Sequence, residues 1–600
     1  MKAESSDSQE ETAAFPGEDR RSKSARLVCW SVCIGLALLD AWSSRQYTNE
    51  DGISYLDMSD ALLKHNWHLL INPHWSPLYP FLIGVARWIA RPSAYWELSI
   101  VHVVNFAIFM GALGSFDFLL RQVICYLGRD DGRRDSDSLV LLPAWRWQLL
   151  GYSFFALSTF VLINGLRITS PDLLVAAFLY LDAGLVLKLR KSTKRSRTCL
   201  LLGLTLGLGY LAKAILFPMA LVFLAVAFFV IGKWQKAVLS LSMTVLIFSA
   251  IAAPLFIEIS RTVGRPSFGE AGNLNLAWEI EGQEHLPFYT SAPPTYLKHP
   301  LILLHRHPDV FGFGGSDATY PLWRDPQYWM AGASTAFDLR SRLRFIVLNF
   351  DYLMTDPFIL PIWCLAGGVL ILLFLSPDLP RRSRHIVRSW PLFVPGAAGL
   401  AMYVLVLVQP RYIAPFVVLV SLGLFPGIFL SKPNDPGKRN ATAIVSFAAF
   451  SMVFTALFVA YHLAGSPFPQ MVSQLTGSHP RKAGSTYVQE AKWLNMDSVQ
   501  PGDTVALIGE GSGGMILARL AGLRIVAQIP PEVEDDFWQI SDPRQKTEVY
   551  EALAKAGAKA VITEETPPPG SSADWQRVGD TQYYVHILTL RQAPAWSGRD

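Results

Sequence analysis

Eleven apolar runs dominate the chain, at 26–43, 98–121, 146–165, 172–189, 198–212, 214–231, 236–257, 358–375, 390–408, 412–430 and 441–462, and each reads as a membrane-crossing helix. Half the residues are apolar and only 17% are charged, which suits a polytopic membrane protein and no soluble class. Connections rich in Lys and Arg (the tail with Arg20, Arg21, Lys23 and Arg26, then 121–146, 188–197, 232–236, 381–388 and 432–439) mark the cytoplasmic side. Alternation then puts 44–97, 166–171, Lys213, 258–357, 409–411 and 463–600 on the outer face. The count works only if 77–90 does not cross. That segment is shorter than the roughly 20 residues a span needs and carries Arg87, so it reads as an interfacial or re-entrant helix. The run 199–231 is too long for one comfortable span and is broken by Lys213, so it reads as two short spans meeting at the outer face.

Residues 1–25 read as a disordered cytoplasmic tail, with the run from Leu27 as a retained anchor. The domain from 26 to 462 is all-α. From 466 to 600 helical patterns at 486–495, 512–521 and 546–556 alternate with strand-like runs at 504–509, 523–529, 559–563 and 583–590, which is a small α/β extracytoplasmic domain. A net charge of +4 without a basic stripe excludes a nucleic-acid partner. The five cysteines fall in or beside apolar runs and read as small core residues, not as disulfides or zinc ligands. Trp42, Trp67, Trp75, Trp88, Trp145 and Trp147 read as interfacial belts.

The chemistry concentrates on the outer face. Asn49-Glu50-Asp51-Gly52 follows the first span, where acids bring no structural benefit, and Asp51 can accept a proton from an acceptor hydroxyl. Asp57 and Asp60 continue on an amphipathic helix and read as structural. Asp172 opens a span after Ser170-Pro171, where it stabilises the helix N-terminus or shares a site with Asp51. Lys213 and Arg411 interrupt apolar runs, and membrane-embedded cations default to a functional reading; they can neutralise a lipid-linked phosphate, Arg as a fork and Lys as a point charge. His305-Arg306-His307 lacks a third ligand and reads as loop. Gly509-Glu510-Gly511-Ser512-Gly513-Gly514 fits a dinucleotide fingerprint, yet on the outer face it reads as a tight strand-to-helix turn.

With these residues placed, the chain resembles the GT-C superfamily of integral membrane glycosyltransferases, in the bacterial branch of family 39 related to protein O-mannosyltransferases and the lipid A aminoarabinose transferase. The likeness covers roughly 26–430. The family's Asp-Glu-x-x-Tyr stands here as Asp51-Gly52-Ile53-Ser54-Tyr55, its Pro-Pro-Leu-Tyr turn as Ser76-Pro77-Leu78-Tyr79-Pro80, its second acid as Asp172, its Thr-Lys pair as Ala212-Lys213, and its late Arg-Tyr as Arg411-Tyr412 with Pro415. Gly52 replaces the second acid of the first motif, and the Lys that often precedes the Pro-Pro-Leu turn is missing.

The resemblance implies inverting transfer of a hexosyl or pentosyl group from a polyprenyl-phosphate-sugar donor to a glycan, lipid or protein hydroxyl at the outer face of the cytoplasmic membrane. Asp51 and Asp172 would be catalytic, Lys213 and Arg411 would bind the donor phosphate, and Glu50, Tyr55, Tyr79 and Tyr412 would contact substrate. The resemblance implies no definite cofactor, and a divalent metal is compatible. The aromatic-rich loop 258–357, with Tyr289, Tyr296, Trp323, Arg324 and Trp329, is expected to cover the site. The rival readings are a transporter or flippase for a lipid-linked or anionic substrate, and an O-antigen-type ligase or polymerase.

Overall fold

A computed structural model describes residues 20–127, 140–141, 143–190, 195–281, 301–314, 317–325, 339–356, 359–375, 383, 386–425, 429–430, 437–464, 487–497, 499–509, 511–568, 574–579 and 581–588. The helices in chain order are α1 (Arg20–Ser43), α2 (Glu50–Leu63), α3 (Leu78–Ala90), α4 (Glu97–Leu127), α5 (Ala144–Ala156, continued by a π-helical turn to Ile163), α6 (Asp172–Leu189), α7 (Arg195–Ala212), α8 (Leu216–Ile231), α9 (Trp234–Val263) and α10 (Ala271–Glu281). After these come α11 (Pro321–Arg324), α12 (Leu339–Thr355), α13 (Leu360–Leu375), α14 (Trp390–Val404), α15 (Pro410–Leu424), α16 (Gly437–Ala464), α17 (Tyr487–Asp497), α18 (Gly511–Leu520), α19 (Glu534–Trp538) and α20 (Pro543–Lys555).

Each expected apolar run coincides with a helix. Among the described residues four helices are long and apolar enough to cross a membrane, or five if the bent pair Leu339–Thr355 and Leu360–Ile371 is one span. The helices carry apolar side chains outward (Leu27, Leu239, Leu246 and Phe229 are all exposed) while burying others against one another, as a lipid-facing bundle must. Small residues set the closest approach. A Cβ on Gly399 would meet the Phe416 ring at 2.1 Å, so α14 and α15 pack only because that position is glycine. Between α6 and α7 a buried hydroxyl, Thr205 Oγ1, donates to Asp182.

The β-strands are β1 (Val140–Leu141), β2 (Leu301–His305), β3 (Val310–Phe313), β4 (Phe429–Leu430), β5 (Thr504–Ile508), β6 (Arg524–Ile529), β7 (Ala560–Thr563), β8 (Gln576–Arg577) and β9 (Tyr584–Ile587). β1 pairs antiparallel with β4, and the rest form one sheet in the order β2-β3-β6-β5-β7-β9-β8. Its centre, β6-β5-β7, is parallel, because α18 and α20 connect those strands across the sheet. β5, β7 and most of β6 are buried, as strands covered on both faces are. The sequence reading bounded the α/β unit at 466–600, whereas the sheet also takes β2 and β3 from the loop 258–357, with β3 antiparallel to β6. Within that loop, β2 and β3 therefore belong to the second domain's sheet.

Two residue classes depart from their expected setting. Trp42, Trp67 and Trp88 are exposed, as a belt requires, but Trp75 and Trp147 are buried: Trp75 packs edge-on against Tyr55, and Trp147 stacks on Phe425. Cys29, Cys33 and Cys199 are core residues, while Cys125 is half-buried and Cys364 exposed.

Candidate active site

Three helix N-termini and one interhelical turn converge on a cavity of about 450 Å³. α2 begins after Asn49 and places Asp51 in its first turn. α6 begins at Asp172 after Pro171, and α15 carries Pro410 at its first position, where a missing N–H costs nothing, followed by Arg411 and Tyr412. Lys213 occupies the turn between α7 and α8.

Helix N-termini favour carboxylates, and here both acids are also held by cations. Arg411 Nη2 donates to Asp51 Oδ2 at 3.0 Å, and Arg411 Nε lies 3.7 Å from Asp172 Oδ2. Lys213 Nζ donates to Asp172 Oδ1 at 2.5 Å, and Ser170 Oγ donates to its other oxygen at 3.0 Å. Asp172 is only 3% exposed. Lys213 also sits 3.7 Å above the Tyr412 ring, which stacks on Tyr403. Two acids and two cations balance formally, so the cluster holds itself together without a ligand and still presents both cations to the cavity.

The structure thus brings Asp51, Asp172, Lys213, Arg411, Tyr55 and Tyr412 to one cavity wall. Burial first, then the neighbouring Asp51 and Asp172 carboxylates, pushes the Tyr55 hydroxyl well above its ordinary range, which keeps it a donor. Tyr79 does not line the cavity: its hydroxyl donates to Asn105 at 2.7 Å and its ring buttresses Tyr55 edge-on, so it supports the wall. Glu50 does not line it either, and its charge acts on Tyr487. Neither expected substrate contact lies on the cavity wall.

Gly52, where the family motif has an acid, is forced by geometry. A Cβ there would lie 2.2 Å from Thr48 Oγ1 and 2.8 Å from Thr169 Cβ. The two segments are tied together, since the Thr169 N–H donates to Asn49 Oδ1 at 3.0 Å and Thr48 Oγ1 donates to Thr169 Oγ1 at 3.0 Å. Among the described residues no group of three His, Cys, Asp or Glu could hold a metal ion, and Arg411 bridges the two acids that a metal would have to share. The described residues of the cavity do not fit a metal.

His74, Trp75, Arg265, Asn273 and Tyr403 also line the cavity, and the sequence reading did not single them out for it. Asn72 Oδ1 accepts the backbone N–H groups of His74 and Trp75 at 2.8 and 3.1 Å, which folds that loop inward. Burial, then Lys213, lowers the His74 imidazole to about 3, so it is neutral. Glu270, buried, receives Ser267 Oγ, Asn273 Nδ2 and Arg265 Nη2 and fixes the opposite rim. The polar clusters at Asn72 and Glu270 were the available signals.

The remaining sequence candidates lie elsewhere. Tyr289, Tyr296, Trp329 and Glu510 are outside the described residues. Trp323 does not line the cavity, and Arg324 anchors its segment by donating to the Leu69 carbonyl at 2.9 Å, while its own carbonyl accepts Asn72 Nδ2 at 3.0 Å. His305 and His307 lie at a β2–β3 hairpin turn. The glycine-rich turn between β5 and α18 is filled by protein: a Cβ on Gly513 would meet the Tyr583 hydroxyl at 2.3 Å and one on Gly511 the Tyr320 hydroxyl at 2.9 Å. Its described glycines are packed against protein, as in a tight strand-to-helix turn.

No family model matches the chain, and no curated protein does. Among solved structures it is similar to ArnT from Cupriavidus metallidurans bound to undecaprenyl phosphate, at 10% identity over 94% of this chain and 98% of that one, with a TM-score of 0.47. It is also similar to the Archaeoglobus fulgidus oligosaccharyltransferase in complex with Zn and sulfate, at 13% identity over 90% of this chain and 67% of that one, with a TM-score of 0.44. The Archaeoglobus fulgidus AglB complex with an inhibitory peptide and a dolichol-phosphate gives 12%, 90%, 69% and 0.43 for the same quantities. At these scores the likeness carries no weight for the site, whose reading rests on this chain's own residues.

Proposed function

We propose that this chain is a membrane glycosyltransferase that moves a sugar from a polyprenyl-phosphate donor to an acceptor hydroxyl at the outer face of the cytoplasmic membrane, with inversion. The observation that carries the reading is the salt-bridged set Asp51–Arg411–Asp172–Lys213 on one wall of a cavity. A donor phosphate offers Arg411 and Lys213 a charged, multidentate alternative to the carboxylates. When Arg411 turns to it, Asp51 loses its partner and gains the capacity to take a proton from the acceptor hydroxyl. That hydroxyl attacks the anomeric carbon from the side opposite the phosphate, the anomeric C–O bond breaks, and the polyprenyl phosphate leaves with its charge held by the two cations. Asp172 keeps Lys213 in place.

Eleven spans, a cytoplasmic N-terminus and an extracytoplasmic α/β domain belong to the same proposal, because they put all four charges on one face. The test is transfer from radiolabelled polyprenyl-phosphate-hexose to membrane acceptors, wild type against Asp51→Asn. Activity lost in the variant with the fold intact supports Asp51 as base; retained activity removes it from the mechanism, and no transfer by either protein across several donors favours transport or ligation.

A further inference from the structure

α2 carries a second ion cluster at its other end, and its central member comes from the distant α/β domain. Arg519, on α18, is 9% exposed along its side chain and donates from Nη1 to Asp57 Oδ1 at 2.9 Å and to Asp60 Oδ2 at 2.5 Å. Its Nη2 donates to Asp60 Oδ1 at 3.1 Å and to Glu97 Oε1 at 2.7 Å. Arg87 of α3 completes the set, reaching Asp60 at 2.7 Å and Glu97 at 2.5 Å. A second tether runs through Thr319, whose N–H and hydroxyl donate to the Asp57 carboxylate at 2.9 and 2.7 Å. The Thr319 carbonyl in turn accepts the Ile525 N–H of β6 at 2.8 Å, so Asp57 is bonded to the sheet itself.

These bonds hold α2 from the outer side. Its N-terminal end is held separately, by Thr169 on Asn49 and by the close packing at Gly52. Asp51 and Asp60 share one continuous helix, on which nine residues span about 14 Å, so a tilt at the ion cluster displaces the carboxylate at the cavity. The cluster has three acids and two arginines; without Arg519, three acids remain against Arg87.

We infer that Arg519 is a positioning residue for Asp51: the α/β domain, through Arg519 and Thr319, sets the pose of the helix that presents the base. This rests on the proposed role of Asp51. Displacing a reacting group by about 1 Å can cost 10²-fold in rate, so Arg519→Gln should lower kcat about 10- to 100-fold while KM for the lipid donor, set by Lys213 and Arg411, stays within about twofold.

The test uses the full-length protein in detergent or nanodiscs and pairs kcat and KM with amide hydrogen exchange. In Arg519→Gln, exchange in 49–56 should accelerate about tenfold or more, with 172–189 and 560–563 unchanged, and Arg519→Lys, which keeps the charge but not the fork, should fall between it and wild type. Full kcat with unchanged exchange in 49–56 overturns the inference, as does acceleration spread evenly over all three segments, which marks general destabilisation. If Arg519→Gln does not fold, Arg519→Lys and Thr319→Val are read by the same criteria. Asp51→Asn is assayed alongside: if it keeps transfer, Asp51 is not the base, and the exchange in 49–56 still reports whether Arg519 fixes α2.

Discussion

The two ends of α2 carry the same chemistry to opposite effect. At Asp51 an arginine and a lysine meet two carboxylates beside an open cavity, and Arg411 holds Asp51 by one 3.0 Å bond with both side chains about a fifth exposed. At Asp60 an arginine meets three carboxylates, is nearly buried, and spends its guanidinium nitrogens on bonds to them. Burial and then Arg519 and Arg87 act on Asp60 in opposite senses, and the arginines win, holding its carboxyl well below the usual range, whereas burial dominates at Asp57 and raises it. An ion cluster that faces space can trade a partner for a ligand. The cluster at Asp60 also borders a cavity, of about 650 Å³, but its buried arginine is shared among three carboxylates and is the harder of the two to free.

The contrast breaks most sharply at the base. Asp51→Asn should lower transfer about 10²- to 10⁴-fold, the usual worth of a positioned general base, with an unchanged melting profile in detergent, because the cavity-side bond contributes little to folding. Double-mutant cycles sharpen it next. The Arg519/Asp60 coupling should reach about 2–3 kcal/mol in unfolding measurements, against about 1 kcal/mol or less for Arg411/Asp51, a single bond from the more exposed arginine. Equal couplings would remove the distinction.

Gly52→Ala tests the packing between the two ends. Its Cβ has nowhere to go unless Thr48 or Thr169 shifts, and overpacking of this kind costs about 1–3 kcal/mol; a variant as stable as wild type would show that the 48–52 and 169 segments are not held together as described. A pH-dependent effect is expected from His74. Its folded pKa of about 3 lies below its ordinary value of 6.5, so the unfolded chain takes up the proton first. Stability is unaffected by this group above about pH 6.5 and declines as pH falls toward 3, by up to about 1.4 kcal/mol per pH unit. His74→Asn should flatten that decline, measured by melting at pH 7.5 and 5.

Helix positions were readable because lipid demands long apolar runs and each expected run became a helix. Strands β5, β6, β7 and β9 were readable from short apolar runs between turns. The placement of β2 and β3 was not, since a strand at a sheet edge is chosen by the neighbour it pairs with and its own residues do not name that neighbour. Glu50 and Tyr79 show the same limit at residue scale. Nearness in sequence to Asp51 and membership in the turn motif suggested them, while the folded chain leaves Glu50 off the cavity wall and uses Tyr79 as a prop behind Tyr55.

By itself the sequence determined which segments coil as apolar helices and that Asp51, Asp172, Lys213 and Arg411 are charges misplaced for a mere anchor. Only the tertiary structure decided that Arg411 reaches Asp51 across 360 residues of chain and that Arg519 grips Asp57 across 462. The physical reason is range. Helix formation and lipid burial follow from neighbours along the chain, whereas a salt bridge is fixed by where two folded surfaces bring their ends, and that depends on all the packing between them.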